Sequence, residues 1–402
     1  MNQKIVVSGV GLYTALGKGL QTNFDSLSSQ AHALTPLHFL ETAHALEFPF
    51  GEIKISTSAL LDTLKLPRNK GYTRTSLLGI TALQEALANA GIDRHAGLKV
   101  GIINATTVGG MCEVEKYYFK MLEEEGDFSE FSDTIDCADC THRLADHFKI
   151  KDYVTTISTA CSSSANAIIL GTRLVNQGHL DIAICGGTDA LTRFTINGFN
   201  ALKNIDKQPC KPFDDARNGL NLGEGAAYLV IEKETSCLQR NHKPIAEMKG
   251  YCNFNESFHS TAPNPKGEGA YQVMKRALLK AQLEPNDIHY INAHGTATLT
   301  NDESEANAMK RLFGSVPSFS STKCYTGHTL AAAGAVEAIF SILALEQQCV
   351  YANLNFANPI PDSALIPQLF HEKKQLQNVM SNSFAFGGNN ASLIFSKMES
   401  KR

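Results

Sequence analysis

The sequence has little charge and no excess of positive charge. Asp, Glu, Lys and Arg make up 19% of its 402 residues, and the formal net charge at pH 7 is −4. So low a charged fraction excludes a disordered chain. The hydrophobic residues, 43% of the chain, are enough to form a substantial core. The lack of net positive charge argues against a protein that binds nucleic acid through a basic field.

Targeting and membrane signals are also missing. A predicted strand at 5–7 follows the N-terminus directly, without the basic stretch and apolar segment of a secretion signal. No run of about 20 apolar residues stands out as a membrane span. We therefore expect a cytoplasmic protein, in which the ten cysteines stay reduced and mostly buried.

Cofactor and metal motifs are weak. The segment 9–14 begins like a dinucleotide-binding fingerprint, but Thr14 replaces its third glycine, so we interpret it as a tight strand-to-helix turn. Cys137 and Cys140 lack the second ligand pair of a zinc finger. Phosphate-loop and metalloprotease motifs are missing as well, and we expect neither a cofactor nor a metal.

What the sequence does contain is an alternation of strands and helices. Buried strands are predicted at 98–104, 181–187 and 226–232, and a helix at 82–90. This alternation indicates an α/β fold, and the length allows two or three domains or one large duplicated fold.

A weak internal repeat favours the duplicated fold. The helix 86–92 leads to a strand ending at 103–106, and the helix 277–283 leads to a strand ending at 291–294. Cys161 and His328 likewise precede alanine-rich helical segments at comparable places. A duplicated unit would bring the loops of both halves to one pseudo-symmetric centre.

Cys161 is the strongest candidate for a functional residue. It lies among small residues between a predicted strand at 154–157 and a predicted helix. A strand-to-helix turn places the thiol at the positive end of a helix dipole, which favours the thiolate. His294 and His328 lie far downstream, and one cysteine with two distant histidines suggests covalent acyl chemistry.

Several motifs share an order and spacing over nearly the whole chain. They are Val7-Ser8-Gly9-Val10-Gly11, the segment around Cys161, Lys211-Pro212-Phe213-Asp214, Gly223-Glu224-Gly225-Ala226, Asn292-Ala293-His294-Gly295-Thr296-Ala297-Thr298, Ser321-Thr322-Lys323, Thr326-Gly327-His328 and Ser381-Asn382-Ser383-Phe384-Ala385-Phe386-Gly387-Gly388. Together they resemble the elongating (type II) β-ketoacyl-acyl carrier protein synthases, condensing enzymes of the thiolase superfamily.

The resemblance implies a thiolase-like duplicated α-β-α-β-α layered fold and a dimer, made with itself or with a ketosynthase-like paralogue. It divides the chain into an N-terminal half, 1–245, with the nucleophile Cys161, and a C-terminal half, 246–402, with His294 and His328.

The resemblance also implies a decarboxylative Claisen condensation. An acyl carrier protein delivers an acyl group to Cys161, and malonyl carrier protein then loses carbon dioxide and attacks that thioester. His294 and His328 would hydrogen-bond the developing enolate. The backbone N–H groups of Cys161 and Phe386 would form the oxyanion hole, and Lys323 paired with Glu337 would orient the site.

Substrate contacts follow from the same resemblance. Thr296 and Thr298 would bind the pantetheine arm, Val108 would line the deep acyl pocket, and Phe386 would be a gate beside the mobile glycines Gly387 and Gly388. A basic cluster would contact the acidic carrier protein: Lys65, Arg68, Lys70 and Arg74. An ordinary solvated basic face explains this cluster equally well.

Three positions depart from the family pattern. Ala385 replaces the usual glycine, Asn389 the usual threonine, and Val108 a common isoleucine. These differences point to a specialised pathway, such as one that makes a polyene or another polyketide-like product.

Four alternatives stand beside this interpretation. A chain-length-factor partner subunit typically lacks the nucleophilic cysteine, which this chain has. A thiolase acting on coenzyme A esters carries a second catalytic cysteine, and an initiating synthase uses His and Asn. A carrier-protein scaffold would need a dead site.

Overall fold

The computed structural model describes residues 3–68, 70–92, 97–123 and 133–399. Its strands are β1 (Ile5–Thr14), β2 (Gly17–Lys18), β3 (Val100–Ala105), β4 (Tyr153–Ile157), β5 (Ile182–Asp189), β6 (Gly225–Lys233), β7 (Ala246–Asn255), β8 (Tyr290–Asn292), β9 (Ser318–Ser320), β10 (Cys349–Val350), β11 (Glu372–Lys373), β12 (Asn378–Phe384) and β13 (Asn389–Lys397). The helices are α1 (Leu20–Ser28), α2 (Thr57–Leu64), α3 (Arg74–Asn89), α4 (Met111–Glu123), α5 (Cys137–Phe148), α6 (Ser163–Asn176), α7 (Arg193–Ala201), α8 (Glu234–Gln239), α9 (Glu268–Ala281), α10 (Leu299–Phe313), α11 (Lys323–Thr326) and α12 (Ala333–Gln347).

One large mixed sheet shows the duplication. Its order is β4-β3-β5-β6-β1-β7-β13-β12-β8-β9, so five strands of the first half are repeated in reverse order by five of the second. The halves join where β1 pairs antiparallel with β7, at Val6 opposite Glu247 and Val7 opposite Ala246. Our division of the chain after residue 245 stays a prediction.

Two central helices pack between the two halves of the sheet. The helices α6 and α12 pack against each other, and each contacts strands of both halves. Helix α3 covers β1 and β6 on one outer face, and α9 covers β7 and β13 on the other. This stacking confirms the predicted duplicated α-β-α-β-α fold.

The apolar character of α12 follows from this central place. The helical stretch Leu330–Gln347 has a mean hydropathy of 1.5, enough by length and composition to cross a membrane, and 89% of it is buried within the protein. Such burial is typical of a core helix, so this stretch is weak evidence for a membrane span. Both halves of the sheet pack against this helix, so apolar residues occur on all of its faces.

The glycines of the segment 9–14 correct a second expectation. Gly9 and Gly11 lie inside β1 and do not form a strand-to-helix turn. A Cβ atom on Gly9 would stand 2.5 Å from Ala86 O of α3 and 2.5 Å from the Cβ atom of Ala90, which directly follows that helix. These glycines therefore let α3 lie directly on the sheet.

The second half repeats this packing. A Cβ atom on Gly250 of β7 would stand 2.6 Å from Ala277 O and Ala281 Cβ of α9. The same glycine-to-alanine contact therefore recurs in both halves.

Candidate active site

Cys161 lies in a tight turn between β4 and α6. Ala160 adopts a left-handed conformation with φ of 50°, which turns the chain sharply before the helix. The Ser163 hydroxyl holds this turn, since it accepts a hydrogen bond from Thr159 N–H (2.8 Å) and donates one to Ala160 O (2.6 Å). Ser162 is the N-cap of α6, so the thiol is presented at the helix N-terminus as predicted.

The surroundings of Cys161 do not produce a stable thiolate by themselves. Burial raises the pKa of the Cys161 thiol to about 11, while the nearby Lys323 ammonium and the Phe386 N–H group act in the opposite direction. Burial is the largest of these effects and favours the protonated thiol.

His294 is held in a loop that buried carboxylates organise. The Glu305 carboxylate of α10 accepts hydrogen bonds from His294 N–H (2.9 Å) and Gly295 N–H (2.8 Å). Burial raises the pKa of Glu305 to about 7, and these two N–H groups oppose the shift. Gly295 is needed here, because a Cβ atom would stand 2.6 Å from Ser321 Cβ.

Lys323 connects His294 to Glu337. Its ammonium forms an ion pair with Glu337 and donates hydrogen bonds to His294 O (2.7 Å) and to His294 Nδ1 (3.1 Å). All three residues are buried. Burial raises the pKa of Glu337, and the neighbouring ammonium opposes that rise. The predicted Lys323–Glu337 pair is therefore present, and it contacts a histidine directly.

His328 is fixed by the chain that follows it. Its Nδ1 atom accepts a hydrogen bond from Leu330 N–H (3.1 Å), just before α12. Its Nε2 atom is buried and has no hydrogen-bond partner among the described residues. Because a buried polar atom without a partner is costly, this atom is suited to a group of the substrate.

The three predicted residues converge on one point. The thiol of Cys161 and one ring nitrogen from each of His294 and His328 lie within 4.8 Å of one another. The two imidazole rings are nearly perpendicular, with centroids 5.6 Å apart. The duplicated fold thus brings a cysteine to one centre with two histidines that lie 133 and 167 residues further along the chain.

This cluster presents hydrogen-bond donors. In each histidine Nδ1 accepts a hydrogen bond, so the proton of the neutral ring lies on Nε2. Burial, with a contribution from Lys323, holds the pKa of both rings well below 6.5 and keeps them neutral. Two N–H groups suit a developing oxyanion, whereas a metal ion would need the Nε2 lone pairs.

A cleft of about 530 Å³ opens onto this cluster. Thr296 and Thr298 line it, and their hydroxyl groups lie 2.9 Å apart. Both threonines therefore lie on the route to Cys161, where we predicted a pantetheine arm.

The gate predicted at Phe386 lies over the cleft. Its ring stacks on Phe199 of α7, with centroids 5.8 Å apart and an interplanar angle of 23°. Gly387 and Gly388 adopt positive φ values of 78° and 77°, which other residues rarely adopt. Gly387 also lines the cleft and donates its N–H to Ser260 O.

Val108 lies in a buried cluster behind the gate. It belongs to the same hydrophobic cluster as Leu191, Ile196 and Leu330. Phe199 packs against this cluster and also lines the cleft. The predicted acyl-pocket position is therefore connected to the gate through Phe199.

The basic cluster needs one correction. Lys65, Arg68 and Lys70 are exposed, and Arg68 pairs with Asp62.

Arg74 is not part of this surface, because it is only 8% exposed at the start of α3. It forms an ion pair with Glu224 and donates hydrogen bonds to Ile53 O and Ile55 O. Its inclusion in a carrier-protein contact was wrong.

Other residues that build the site were not predicted from the sequence. Asp302 accepts hydrogen bonds from Ala297 N–H and Phe213 N–H and so shapes the threonine loop, as Glu305 shapes the histidine loop. Both acidic residues closely follow His294 in the sequence. This position could have predicted their role, because the backbone N–H groups of a buried loop need hydrogen-bond acceptors. Phe199 gave no such signal.

Family models match both halves of the chain. The model described as "Beta-ketoacyl synthase, N-terminal domain" matches residues 2–236, and the one described as "Beta-ketoacyl synthase, C-terminal domain" matches residues 245–357. A curated relative from Staphylococcus aureus, 3-oxoacyl-[acyl-carrier-protein] synthase 2, is 31% identical over 99% of both chains.

Solved structures are similar over the same length. The ishigamide ketosynthase/chain length factor has a TM-score of 0.92 at 27% identity, covering 99% of this chain and 100% of that chain. A ketosynthase in complex with its chain length factor, from Xenorhabdus doucetiae, has a TM-score of 0.84 at 30% identity and covers 98% of each chain.

Proposed function

The chain belongs to the β-ketoacyl synthase family, and on this basis we propose that Cys161, His294 and His328 carry out its reaction. The protein is an acyltransferase-class enzyme that condenses an acyl group with malonyl-acyl carrier protein in fatty acid or polyketide synthesis. The observation that carries the assignment of the residues is their convergence within 4.8 Å at the end of one cleft.

In the first step, the Cys161 sulfur attacks the carbonyl carbon of an acyl thioester. The S–C bond to the enzyme forms, the bond to the pantetheine sulfur breaks, and the thiol proton passes to that departing sulfur. The tetrahedral oxyanion lies between the N–H groups of Cys161 and Phe386. Small residues around Cys161 leave room for this intermediate.

In the second step, malonyl carrier protein replaces the departed carrier. Loss of carbon dioxide leaves an enolate, whose oxygen accepts hydrogen bonds from the Nε2–H groups of His294 and His328. The enolate carbon then attacks the Cys161 thioester, which forms the new C–C bond and releases the cysteine sulfur. Neutral imidazoles are suited to this step, because they are donors already before charge develops.

Lys323 and Glu337 act on this chemistry through His294. The ammonium fixes the ring by its bond to Nδ1 and so selects the tautomer with a proton on Nε2. Glu337 compensates the ammonium, since a single buried charge would be expensive.

The partners of the enzyme are acyl carrier protein, in its acyl and malonyl forms, and a second ketosynthase-like subunit, either identical or a paralogue. We propose that exposed Lys65, Arg68 and Lys70 meet the acidic carrier protein. Thr296 and Thr298 would then hydrogen-bond the pantetheine arm in the cleft.

Acyl-chain choice would depend on the region behind the gate. Val108 and Phe199 are the residues that we propose contact the distal part of the chain once Phe386 moves aside. Valine removes one methylene relative to isoleucine, and this space suits a longer or stiffer chain. We further propose the cytoplasm as the place of the reaction, because Cys161 must stay a free thiol, as all ten cysteines are.

Intact mass spectrometry with a panel of acyl carrier proteins tests the assignment. The wild-type protein should gain the mass of one acyl group, whereas Cys161→Ala should gain none. Cys210→Ala is a matched control. Cys210 is also buried, but it is not one of the described residues that line the cleft. It should be acylated like the wild type.

The same experiment tests the partner-subunit alternative. A chain-length-factor-like subunit would gain no acyl group from any donor, even with all three residues present. Failure of acylation with every donor, in the presence of an active ketosynthase partner, would favour that role and contradict our assignment.

A further inference from the structure

Asn389 connects the gate loop to the nucleophile turn. It follows Phe386 by three residues and begins β13. Its side-chain oxygen accepts hydrogen bonds from Ser162 Oγ (2.8 Å) and from Asn166 Nδ2 (2.7 Å). One carboxamide of the C-terminal half therefore contacts two residues of the N-terminal half.

Both donors belong to the segment that positions the cysteine. Ser162 directly follows Cys161 and is the N-cap of α6, and Asn166 lies one turn further along the same helix. Asn166 Nδ2 also donates to Thr159 Oγ1 (2.9 Å), on the other side of the turn. The contact thus holds both arms of the nucleophile turn.

The gate loop has separate contacts on its outer side. Gly387 N–H donates to Ser260 O (2.8 Å), and Glu256 N–H donates to Gly388 O (3.0 Å). These bonds tie the loop to the segment after β7, away from the nucleophile. The inner connection made by Asn389 therefore restrains the loop on the side where the oxyanion hole lies.

We propose that Asn389 is a positioning residue, which fastens the gate loop to the nucleophile turn and thereby fixes the relative position of the Phe386 and Cys161 N–H groups. The inference rests on the proposed function of these two groups as the oxyanion hole. It extends that function to a residue outside the oxyanion hole itself.

The carboxamide group suits this role better than a shorter hydroxyl side chain would. A carboxamide oxygen lies one bond further from the backbone than a threonine hydroxyl, and it accepts two hydrogen bonds without having to donate one. In this chain it meets the donors of Ser162 and Asn166 simultaneously. A threonine would reach a shorter distance and would itself need an acceptor.

Single-turnover acylation of Cys161 tests the proposal. Asn389→Leu keeps the approximate size of the side chain and removes the acceptor. We expect acylation to slow by roughly 10- to 100-fold, since a displacement of about 1 Å in a catalytic group costs up to about that much. The donor concentration at half-maximal rate should change little, because the cleft itself is intact.

Two further variants separate positioning from a loss of folding. Asn389→Asp retains the acceptor oxygen and should acylate within a few fold of the wild type. Asn166→Ala, which leaves Asn389 in place, should slow acylation, and the double variant Asn166→Ala with Asn389→Leu should be slowed by less than the product of the two single effects. Asn307→Ala, on the outer face of α10, is the surface control.

A thiol-alkylation profile gives a readout that a purely structural role would not change. The Phe386 N–H group lowers the pKa of Cys161. Displacing the loop should therefore shift the alkylation profile of Asn389→Leu to higher pH, while Asn307→Ala keeps the wild-type profile.

The outcomes distinguish this inference from the function on which it rests. Wild-type acylation together with an unchanged rate in Asn389→Leu, or additive effects in the double variant, would overturn the role of Asn389. If the wild type itself were not acylated, the assignment of Cys161 would fail first.

Discussion

The central helices α6 and α12 begin at equivalent places in the two halves, but they carry different chemistry. Before α6 stands Cys161, in a turn of small neutral residues. Before α12 stands His328, and the buried charges Lys323, Glu337 and Glu305 lie in the same half. One scaffold therefore serves twice, once to present a nucleophile and once to hold hydrogen-bond donors.

This division gives each half of the molecule its own chemical step. Under the proposed function, the N-terminal half would form the acyl-enzyme, and the C-terminal half would stabilise the enolate that attacks it. The gate loop, which lies in the C-terminal half and whose Phe386 N–H group acts on Cys161, would take part in both. The comparison therefore predicts that the two steps respond separately to substitutions.

Cys161→Ala should have the largest effect. Condensation should fall to background, because no acyl-enzyme can form. Decarboxylation of malonyl carrier protein should persist, since both histidines are untouched. Carbon dioxide release measured beside product formation checks this, and loss of decarboxylation in the variant would show that the halves do not act separately.

His328→Ala should show the reverse pattern. Condensation should fall by about 10²- to 10³-fold, the usual effect of losing one oxyanion donor. Acylation of Cys161 should stay within a few fold of the wild type, as intact mass spectrometry would show. An equal loss of acylation and condensation would contradict the separate action of the two halves.

Lys323→Met sharpens the account of the buried charges. Removing one partner of a buried ion pair leaves the other uncompensated, and we expect a loss of about 3–5 kcal/mol in the free energy of unfolding. The double variant Lys323→Met with Glu337→Leu should regain most of this stability in denaturant unfolding but not the condensation rate. Recovery of both would mean that the pair serves folding alone.

The pH dependence of Cys161 distinguishes the nucleophile turn from an ordinary exposed thiol. Since burial raises the pKa of Cys161 to about 11, the thiolate fraction rises with pH throughout the range below that value. Alkylation by iodoacetamide should therefore keep rising past pH 9, the ordinary pKa of a thiol. A plateau near pH 8 would contradict this.

The basic surface should give the smallest effect. Arg68→Glu should raise the KM for acyl carrier protein a few fold at low salt, with little change at high salt, because exposed charges are screened. Arg74→Ala should act differently, by lowering the melting temperature, because Arg74 is the buried partner of Glu224. A salt-dependent KM effect of Arg74→Ala with unchanged stability would reverse our correction.

Much of the fold and the three central residues could be predicted from sequence. Strand patterns, the helix–strand repeat and the small residues around Cys161 are local signals, and the duplication explains why Cys161, His294 and His328 meet. Residues whose role depends on distant partners could not be predicted. Gly9 appeared to form a turn because its contact with Ala86 is not visible in the chain, and Arg74 appeared exposed because Glu224 lies 150 residues away.

The same limit explains Asn389 and Glu305. The substitution at 389 was visible, but its meaning depends on Ser162 and Asn166, which come from the other half. Glu305 acts only through the backbone of His294, a contact that becomes visible once α10 is folded against the loop.

The most direct test of the central claim is intact mass spectrometry of His328→Ala, first with acyl carrier protein and then with malonyl carrier protein. The separation of the two steps predicts an acyl-enzyme on Cys161 that malonyl carrier protein discharges about 10²- to 10³-fold more slowly than in the wild type. Failure of this variant to become acylated, under conditions in which the wild type is acylated, would contradict the claim.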